Sequence, residues 1–422
     1  MPPDFNALSY VFLALLSLQV ALEAWLSTRQ LRAVRRHRDR VPDAFAGRIS
    51  PEAHRRAADY TLALTRLAMI TTSYSALLVL AWTLGGGLEA LDRMWRQWSP
   101  GPILGGTGLI LGLFLINGLL ELPFSVYRTF VIEKRFGFNR TTPGLFVADL
   151  VKGVLLAALL GGPLLAAILW LMDRAGPLWW LWAWGLWFGF SLFMVWAWPT
   201  LIAPLFNRFT PLQDEALRQA VERLLAQCGF EASGVYVMDG SRRSAHGNAY
   251  FTGLGRHKRI VFFDTLLEQL DPPEVEAVLA HELGHYRLHH IRKRMLAMAA
   301  SSLVALAALG WLGQQPWFHA GLGYHLPDPP AAVTLALFLL AAPVVGYFLG
   351  PLMAWLSRRH EFEADAFAAR LRGADTLVSA LVKLYRENAA TLTPDPLYSS
   401  FHDSHPPAPV RIHHLEQAAA GG

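Results

Sequence analysis

Cysteine is almost missing from this sequence. The 422 residues include one cysteine, Cys228, so the chain cannot form a disulfide framework of its own. Such a composition is typical of a protein whose soluble parts face a reducing compartment. The neighbouring residues, "LLAQCGFEA", include no histidine or other activating group. We therefore interpret Cys228 as a structural residue rather than a nucleophile.

Charged residues are also scarce. They make up 16% of the chain, whereas soluble globular proteins carry roughly 25%. Hydrophobic residues make up 53%, and the mean hydropathy is +0.30. This balance argues against a soluble domain and predicts an integral membrane protein. The net charge of +5 does not indicate a nucleic-acid partner, because the basic residues form short clusters beside apolar runs rather than one continuous face.

Long apolar runs are the most abundant feature of the sequence, and they predict about seven membrane-spanning helices. The predicted spans cover residues 8–27, 67–84, 102–120, 154–172, 177–198, 295–313 and 332–356. Two of these spans contain polar residues, Glu23 and Asn117, which we expect to face other helices or water. Arginines follow the first apolar run, so we expect a retained anchor with its N-terminus outside.

The distribution of Lys and Arg predicts which connections lie in the cytoplasm. Residues 29–40 carry six arginines, whereas the connection after the sixth span, "QQPWFHAGLGYHLPDPP", has no Lys or Arg. The predicted domains are therefore a membrane region of five spans (1–198), a cytoplasmic core segment (199–294), two further spans (295–356) and a second cytoplasmic segment (357–422). Short β-prone runs in the core, "GVYVMDGS", "NAYFTGLG" and "RIVFFDTLL", predict a small β-sheet.

The first cytoplasmic segment contains the motif "HELGH" on a predicted helix that leads towards the sixth span. Asp271 as N-cap, Pro272 and Glu274 mark the start of this helix. His281 and His285 are four residues apart, so their rings can bind one metal ion from the same helix face. Zinc suits two neutral imidazoles. Glu282 cannot chelate in the same geometry, but it can act as a general base on water at the metal. We interpret the later His289 and His290 as polar residues at the membrane boundary.

A catalytic zinc site needs a third protein ligand, and the second cytoplasmic segment offers one in "SRRHEFEADAFA". We expect this ligand to be Glu361, with Asp365 one turn later on the same face supporting a histidine. His360 and Glu363 are rivals for the ligand role. Glu363 lies about 200° around the helix from Glu361, so the two carboxylates cannot both face the metal.

Several motifs, in order along most of residues 1–415, resemble the type I CAAX prenyl endopeptidases, integral-membrane zinc metalloproteases related to the HtpX heat-shock protease. The motifs are "HELGH", "SRRHEFEADAFA", "FVIEKRFGFNRTT" (130–142), "PLFNRFTPL" (204–212), "NAYFTGLGRHKRIVFFDTLL" (248–267) and "PLYSSFHDSHPPAPVRI" (396–412). The resemblance implies a mainly α integral membrane protein with a zincin-like metalloprotease domain, and spans that enclose a water-filled chamber.

The resemblance also implies roles for individual residues. It implies that one Zn²⁺ per chain is bound by His281, His285 and Glu361. It also implies that Glu282 is the general base and that Asp365 supports a histidine ligand. A further four residues match other functional positions of the family. They are Asn248 and Ala249 in a strand that binds peptide, His405 as an oxyanion stabiliser, and Arg411 as a basic residue near the substrate.

The expected function is therefore zinc-dependent hydrolysis of peptide bonds in a peptide or membrane-protein substrate, with prenylation left open. Within this class, a quality-control protease without prenyl specificity is the alternative. Outside this class there are two alternatives. An inactive scaffold would be expected to lack Glu282 or a ligand, yet the full set is present. A transporter with a structural metal site would be expected to show an inverted repeat, which the apolar pattern does not show. The Arg-, Ala- and Trp-rich chain without an organelle signal predicts a bacterial inner-membrane location. The oligomeric state is left open.

Overall fold

The computed structural model describes residues 5–98, 101–252 and 259–420. Helices dominate these ranges. In chain order they are α1 (Ala7–His37), α2 (Pro51–Trp82), α3 (Gly87–Trp95), α4 (Pro102–Tyr127), α5 (Pro143–Leu156), α6 (Gly162–Arg174), α7 (Trp179–Ala197), α8 (Ala203–Phe206), α9 (Glu215–Gln227), α10 (Asp264–Gln269), α11 (Pro272–Arg287), α12 (His290–Leu312), α13 (Pro316–Gly321), α14 (Ala331–Gly346), α15 (Gly350–Arg372), α16 (Ala374–Glu387), α17 (Pro396–His402) and α18 (Ala408–Ala420).

Within the described ranges, seven helical stretches are long and apolar enough to cross a membrane. They are Ala7–His37, Pro51–Trp82, Pro102–Glu133, Pro143–Arg174, Gly176–Phe206, His290–Leu312 and Ala331–Arg372. Each overlaps one predicted span, and most are extended by polar or amphipathic turns that hydropathy does not detect. The last stretch continues well beyond the predicted end at residue 356, because α15 leaves the apolar region without interruption and carries "HEFEAD" on the same helix.

A small four-stranded sheet lies in the predicted protease core. Its strands are β1 (Phe209–Pro211), β2 (Gly234–Met238), β3 (Ala249–Thr252) and β4 (Arg259–Phe263), in the order β1-β2-β4-β3. The three β-prone runs of the sequence correspond to β2, β3 and β4, although residues 253–255 of the middle run lie outside the described residues. The short strand β1 was not predicted. In this order β3 is an edge strand that pairs antiparallel with β4.

Helix α11 begins as the sequence predicts. The Asp271 side chain and the Glu274 side chain form a reciprocal capping box, with Pro272 in the first turn. The helix does not run on into the sixth span, which corrects the prediction. It ends at Arg287, and His289 adopts a left-handed backbone conformation with φ 60° before α12 starts at His290. This break turns His290 back towards the motif.

The connection between α1 and α2 lies on the same side as the protease core. Phe45 and Ile49 from this connection are 0% and 5% exposed and belong to one apolar cluster with Leu224 of α9 and Leu283 of α11. Cys228 is part of the same cluster, and burial raises the pKa of its thiol. These properties agree with a structural cysteine.

The polar residues inside the spans bond to other elements, as expected. The Asn117 Oδ1 atom accepts a hydrogen bond of 2.8 Å from the Trp82 indole. Glu23 is buried and contacts Tyr347 and His402 from distant parts of the chain. Both therefore tie spans to their neighbours rather than facing lipid.

Candidate metal centre and active site

Three side chains from two helices converge at the centre of the protease core. His281 and His285 extend from α11, and Glu361 extends from α15. The two Nε2 atoms lie 3.2 Å apart, and the Glu361 oxygens lie 3.4 Å from His281 Nε2 and 3.3 Å from His285 Nε2. Their ligand atoms all fall within 4.8 Å of one another. Two imidazole nitrogens and a carboxylate facing one another suit a shared cation, and three protein ligands leave a fourth position for water or substrate.

Behind the cluster, Asp365 supports His281. The Asp365 Oδ1 atom lies 2.8 Å from His281 Nδ1, and Arg411 binds the same carboxylate through two nitrogens at 2.8 and 2.5 Å. Asp365 and Arg411 are 0% and 7% exposed. Burial alone would lower the pKa of Arg411, but hydrogen bonding to Asp365 raises it above its ordinary value. The pair can therefore fix the His281 tautomer with Nε2 free to bind a metal.

The metal-free site is expected to take up a proton on His281. Burial disfavours the charged imidazole, but the interactions with Asp365 and Glu361 outweigh it and raise the pKa of His281 to about 9. A histidine must be neutral to bind a metal, so binding at pH 7 should release a proton and binding should tighten as the pH rises towards about 9. Calorimetric titration in buffers of different ionisation enthalpy measures this release, and a binding enthalpy independent of the buffer at pH 7 would contradict it.

Two further predicted residues lie next to the cluster. Glu282 follows His281 on α11 and is half-buried, so water can reach its carboxylate. His405 follows α17, and its Nδ1 atom lies 2.7 Å from Glu361 Oε2 while 62% of its side chain is exposed. His405 therefore lies at the open side of the cluster, where an incoming substrate would meet it.

Another histidine, His290, supports the cluster but was interpreted from the sequence as a membrane-boundary residue. It is 1% exposed. Its Nδ1 atom lies 3.0 Å from His285 Nδ1, its Nε2 atom lies 2.9 Å from Glu363 Oε2, and its ring stacks on His360 at 4.0 Å. The rivals of Glu361 for the ligand role thus contact His290 instead. Sequence reasoning missed this contact because it depends on the backbone reversal at His289.

Replacing His290 with Ala should weaken metal binding without removing a metal ligand. His285 would lose the partner that orients its ring, and losing such a partner typically costs about 10- to 100-fold in metal affinity or activity. Competition with a chelator of known affinity measures the change. His289→Asn is the matched control, because His289 is an exposed neighbour and asparagine tolerates its left-handed backbone. Equal metal affinities in the two variants would exclude this role for His290.

The helices α11 and α15, which carry the three converging side chains, pack very closely at Gly284. A β-carbon on Gly284 would lie 3.0 Å from Ala364 Cα and 3.3 Å from Ala364 Cβ. Glycine at the fourth position of "HELGH" therefore lets α11 approach α15 closely enough for its histidines to meet Glu361. A larger residue must push the helices apart because the contact includes backbone atoms.

Gly284→Val should destabilise the protein by about 1–3 kcal/mol through overpacking between α11 and α15. It should also reduce metal content, since the ligands come from both helices. Thermal unfolding in detergent and metal analysis measure the two effects. Gly112→Val is a control in a helix where a β-carbon meets no atom within 4 Å. A Gly284→Val protein as stable and metal-loaded as this control would contradict the packing argument.

A strand and a cavity border the site. Asn248 directly precedes the edge strand β3, where its side-chain oxygen accepts a hydrogen bond of 2.8 Å from the Ala249 amide. A cavity of about 940 Å³ opens beside His405, lined in part by Tyr60, Leu64, Phe124, Tyr398 and His402. Space for an extended substrate is thus available on the exposed side of His405.

The fold and this site together define a class, the integral-membrane metallopeptidases. Two family models divide the chain: "CAAX prenyl protease N-terminal, five membrane helices" matches residues 30–208, and "Peptidase family M48" matches residues 211–419. The chain belongs to peptidase family M48, in the branch whose membrane region is the CAAX prenyl protease N-terminal domain.

The relatives support the same family over nearly the whole chain. A CAAX prenyl protease 1 homolog from Oryza sativa is 36% identical, covering 96% of both chains. The human CAAX prenyl protease 1 homolog is 33% identical over 72% of this chain and 71% of its own length. The crystal structure of S. mikatae Ste24p aligns with a TM-score of 0.90 and 29% identity, covering 97% of this chain and 99% of that one.

These matches confirm the predicted family, fold class and enzyme class. The protein is a multi-pass, mainly α-helical membrane metalloendopeptidase with a small sheet in its protease domain. Family membership implies a metal cofactor, a peptide substrate and a membrane environment. It also disfavours the transporter alternative.

Proposed function

We propose that the chain is a zinc endopeptidase in which His281, His285 and Glu361 hold the metal and Glu282 is the general base. The convergence of the three ligand atoms within 4.8 Å, with a carboxylate next to the first histidine, carries this proposal. The donor set matches the His₂Glu arrangement that zinc adopts in hydrolytic enzymes. Asp365 and His290 orient the two histidines from behind.

Each residue of the proposed active site has a separate role in hydrolysis. Bound zinc would polarise the scissile carbonyl and acidify water. Glu282 accepts a proton from the attacking water and delivers it to the leaving amine. His405 donates a hydrogen bond to the oxyanion that develops on the carbonyl. Arg411 was predicted to contact substrate, but its burial against Asp365 favours a role in holding that carboxylate.

We infer that the peptide substrate binds as an added strand along β3. The segment at Asn248 and Ala249 is an edge of the described sheet, and backbone pairing there would align an extended peptide with the cluster. Main-chain hydrogen bonds carry little side-chain selectivity, so the cavity beside His405 would have to supply most of the discrimination.

The relatives named CAAX prenyl protease favour a prenylated C-terminal peptide as substrate. The apolar residues in the cavity wall, such as Leu64 and Phe124, suit an isoprenoid chain near the reacting bond. A quality-control protease without prenyl specificity is the second candidate, favoured by the backbone mode of binding at β3.

The proposed orientation places the active site in the cytoplasm. The arginine-rich connection between α1 and α2 packs on the protease core, so both share the side that basic residues mark as cytoplasmic. The composition favours a bacterial inner membrane, although the relatives described above come from eukaryotes. Reporter fusions to the connection at residues 314–330 should report the opposite compartment.

A peptide panel tests the function and its substrate together. Purified wild-type protein with measured metal content is incubated with matched farnesylated and unmodified peptides, beside Glu282→Gln. Cleavage of the farnesylated peptides alone supports the CAAX-type activity, and equal cleavage of both supports the quality-control alternative. Failure to cleave any peptide with stoichiometric zinc bound would overturn the proposal.

A further inference from the structure

Glu23 lies where the first span meets the segment that carries His405. It is 8% exposed although it belongs to a membrane span. Its Oε2 atom accepts a hydrogen bond of 3.0 Å from the Tyr347 hydroxyl and lies 3.3 Å from His402 Nε2. His402 is the last residue of α17, and His405 follows three residues later. A buried carboxylate is costly in a membrane and marks a functional position by default.

The other end of α17 is bound by the same span. Arg29 makes a bidentate pair with Asp395 at 3.1 and 3.0 Å, and the Gln30 side chain accepts a hydrogen bond of 2.6 Å from the Asp395 amide. Asp395 is the N-cap of α17 and is 6% exposed. Residues 23–30 of α1 therefore hold both ends of this seven-residue helix.

Contacts from α15 complete the support around His405. Arg358 donates hydrogen bonds to the Asp403 and Ser399 carbonyls at 2.8 and 3.4 Å. Arg358 precedes Glu361 by three residues on α15. The helix that supplies the proposed acidic ligand therefore also binds the segment leading to His405. The His405 side chain is nevertheless 62% exposed, and its Nδ1 atom contacts Glu361 at 2.7 Å. Its position depends on the segment beneath it.

We propose that Glu23 is a positioning residue for catalysis, which acts by fixing α17 and thereby His405. The inference rests on the proposed function of His405 at the oxyanion. Misplacing a catalytic group by about 1 Å can cost roughly 100-fold in rate. A membrane helix remote from the metal ligands thus determines how well the oxyanion is stabilised, while metal binding and the β3 edge stay independent of it.

Steady-state kinetics on full-length Glu23→Gln tests the inference. We expect kcat to fall about 10- to 100-fold with zinc stoichiometry unchanged, because His405 acts in the transition state. Asp92→Asn is the matched control. Asp92 is also a buried carboxylate bound to a tyrosine, Tyr324 at 2.6 Å, but at the opposite end of the spans. An unchanged kcat in Glu23→Gln, or an equal loss in Asp92→Asn, would overturn the inference.

A double-mutant cycle separates positioning from general damage. In a His405→Ala background, Glu23→Gln should lower kcat no further, whereas an equal fold-loss in both backgrounds refutes positioning. A His405→Ala protein with wild-type kcat would instead refute the proposed role of His405 itself. Arg29→Gln, which breaks the pair at the other end of α17, should behave as Glu23→Gln does and replaces it in the cycle if that variant does not fold.

Discussion

Glu282→Gln should eliminate turnover while the protein keeps its full complement of metal. General-base catalysis contributes about 10²- to 10⁴-fold to a rate, and glutamine cannot accept the proton of the attacking water. Glu282 is not among the three converging ligands, so metal content should be unaffected. Parallel measurements of kcat and of bound zinc in the purified variant check both statements.

The matched control for this variant is Glu276→Gln on the same helix. Glu276 binds Arg372 at 2.9 Å and lies away from the metal ligands. The same chemical change there should leave kcat within about twofold of wild type, because the Glu276 carboxylate is bound to Arg372 rather than placed to take a proton from the attacking water. Comparable losses in both variants would show that α11 tolerates no amide substitution, and full activity in Glu282→Gln would remove Glu282 from the mechanism.

Hydropathy and helix signals predicted most of the fold, for a physical reason. A membrane span must be apolar over its length, and a helix start needs a cap. Both features can therefore be recognised from residues that are neighbours in the sequence. The capping box at Asp271 and the positions of all seven spans among the described residues were predicted in this way. The three-residue strand β1 was not, because its existence depends on pairing with β2.

Contacts between distant segments account for what the sequence did not predict. His290 follows "HELGH" by five residues, yet its role depends on the left-handed backbone at His289 and on Glu363 from α15. Glu23 was expected to face another helix, but its partner His402 could not be deduced from periodicity. A local pattern fixes the face on which a residue lies, whereas tertiary packing selects the residue opposite.

Exchange of the acidic ligand should have the largest effect on metal binding. Glu361→Gln removes the anionic ligand from a site where Glu361 is 1% exposed and no other carboxylate among the described residues completes the set. We expect the purified variant to contain almost no zinc and to have no peptidase activity. The His₂ pair that remains offers two neutral ligands, fewer than the three that catalytic zinc sites use.

Glu363→Gln on the same helix distinguishes the two rivals for the ligand role. Glu363 contacts His290 and Arg359 rather than the cluster, so this variant should retain stoichiometric zinc. Its affinity should fall by no more than about tenfold, because it acts on His285 through one intermediate histidine. Metal analysis and chelator competition on both variants decide the matter. Zinc retained by Glu361→Gln and lost by Glu363→Gln would reverse the assignment, since the two carboxylates point to different sides of α15.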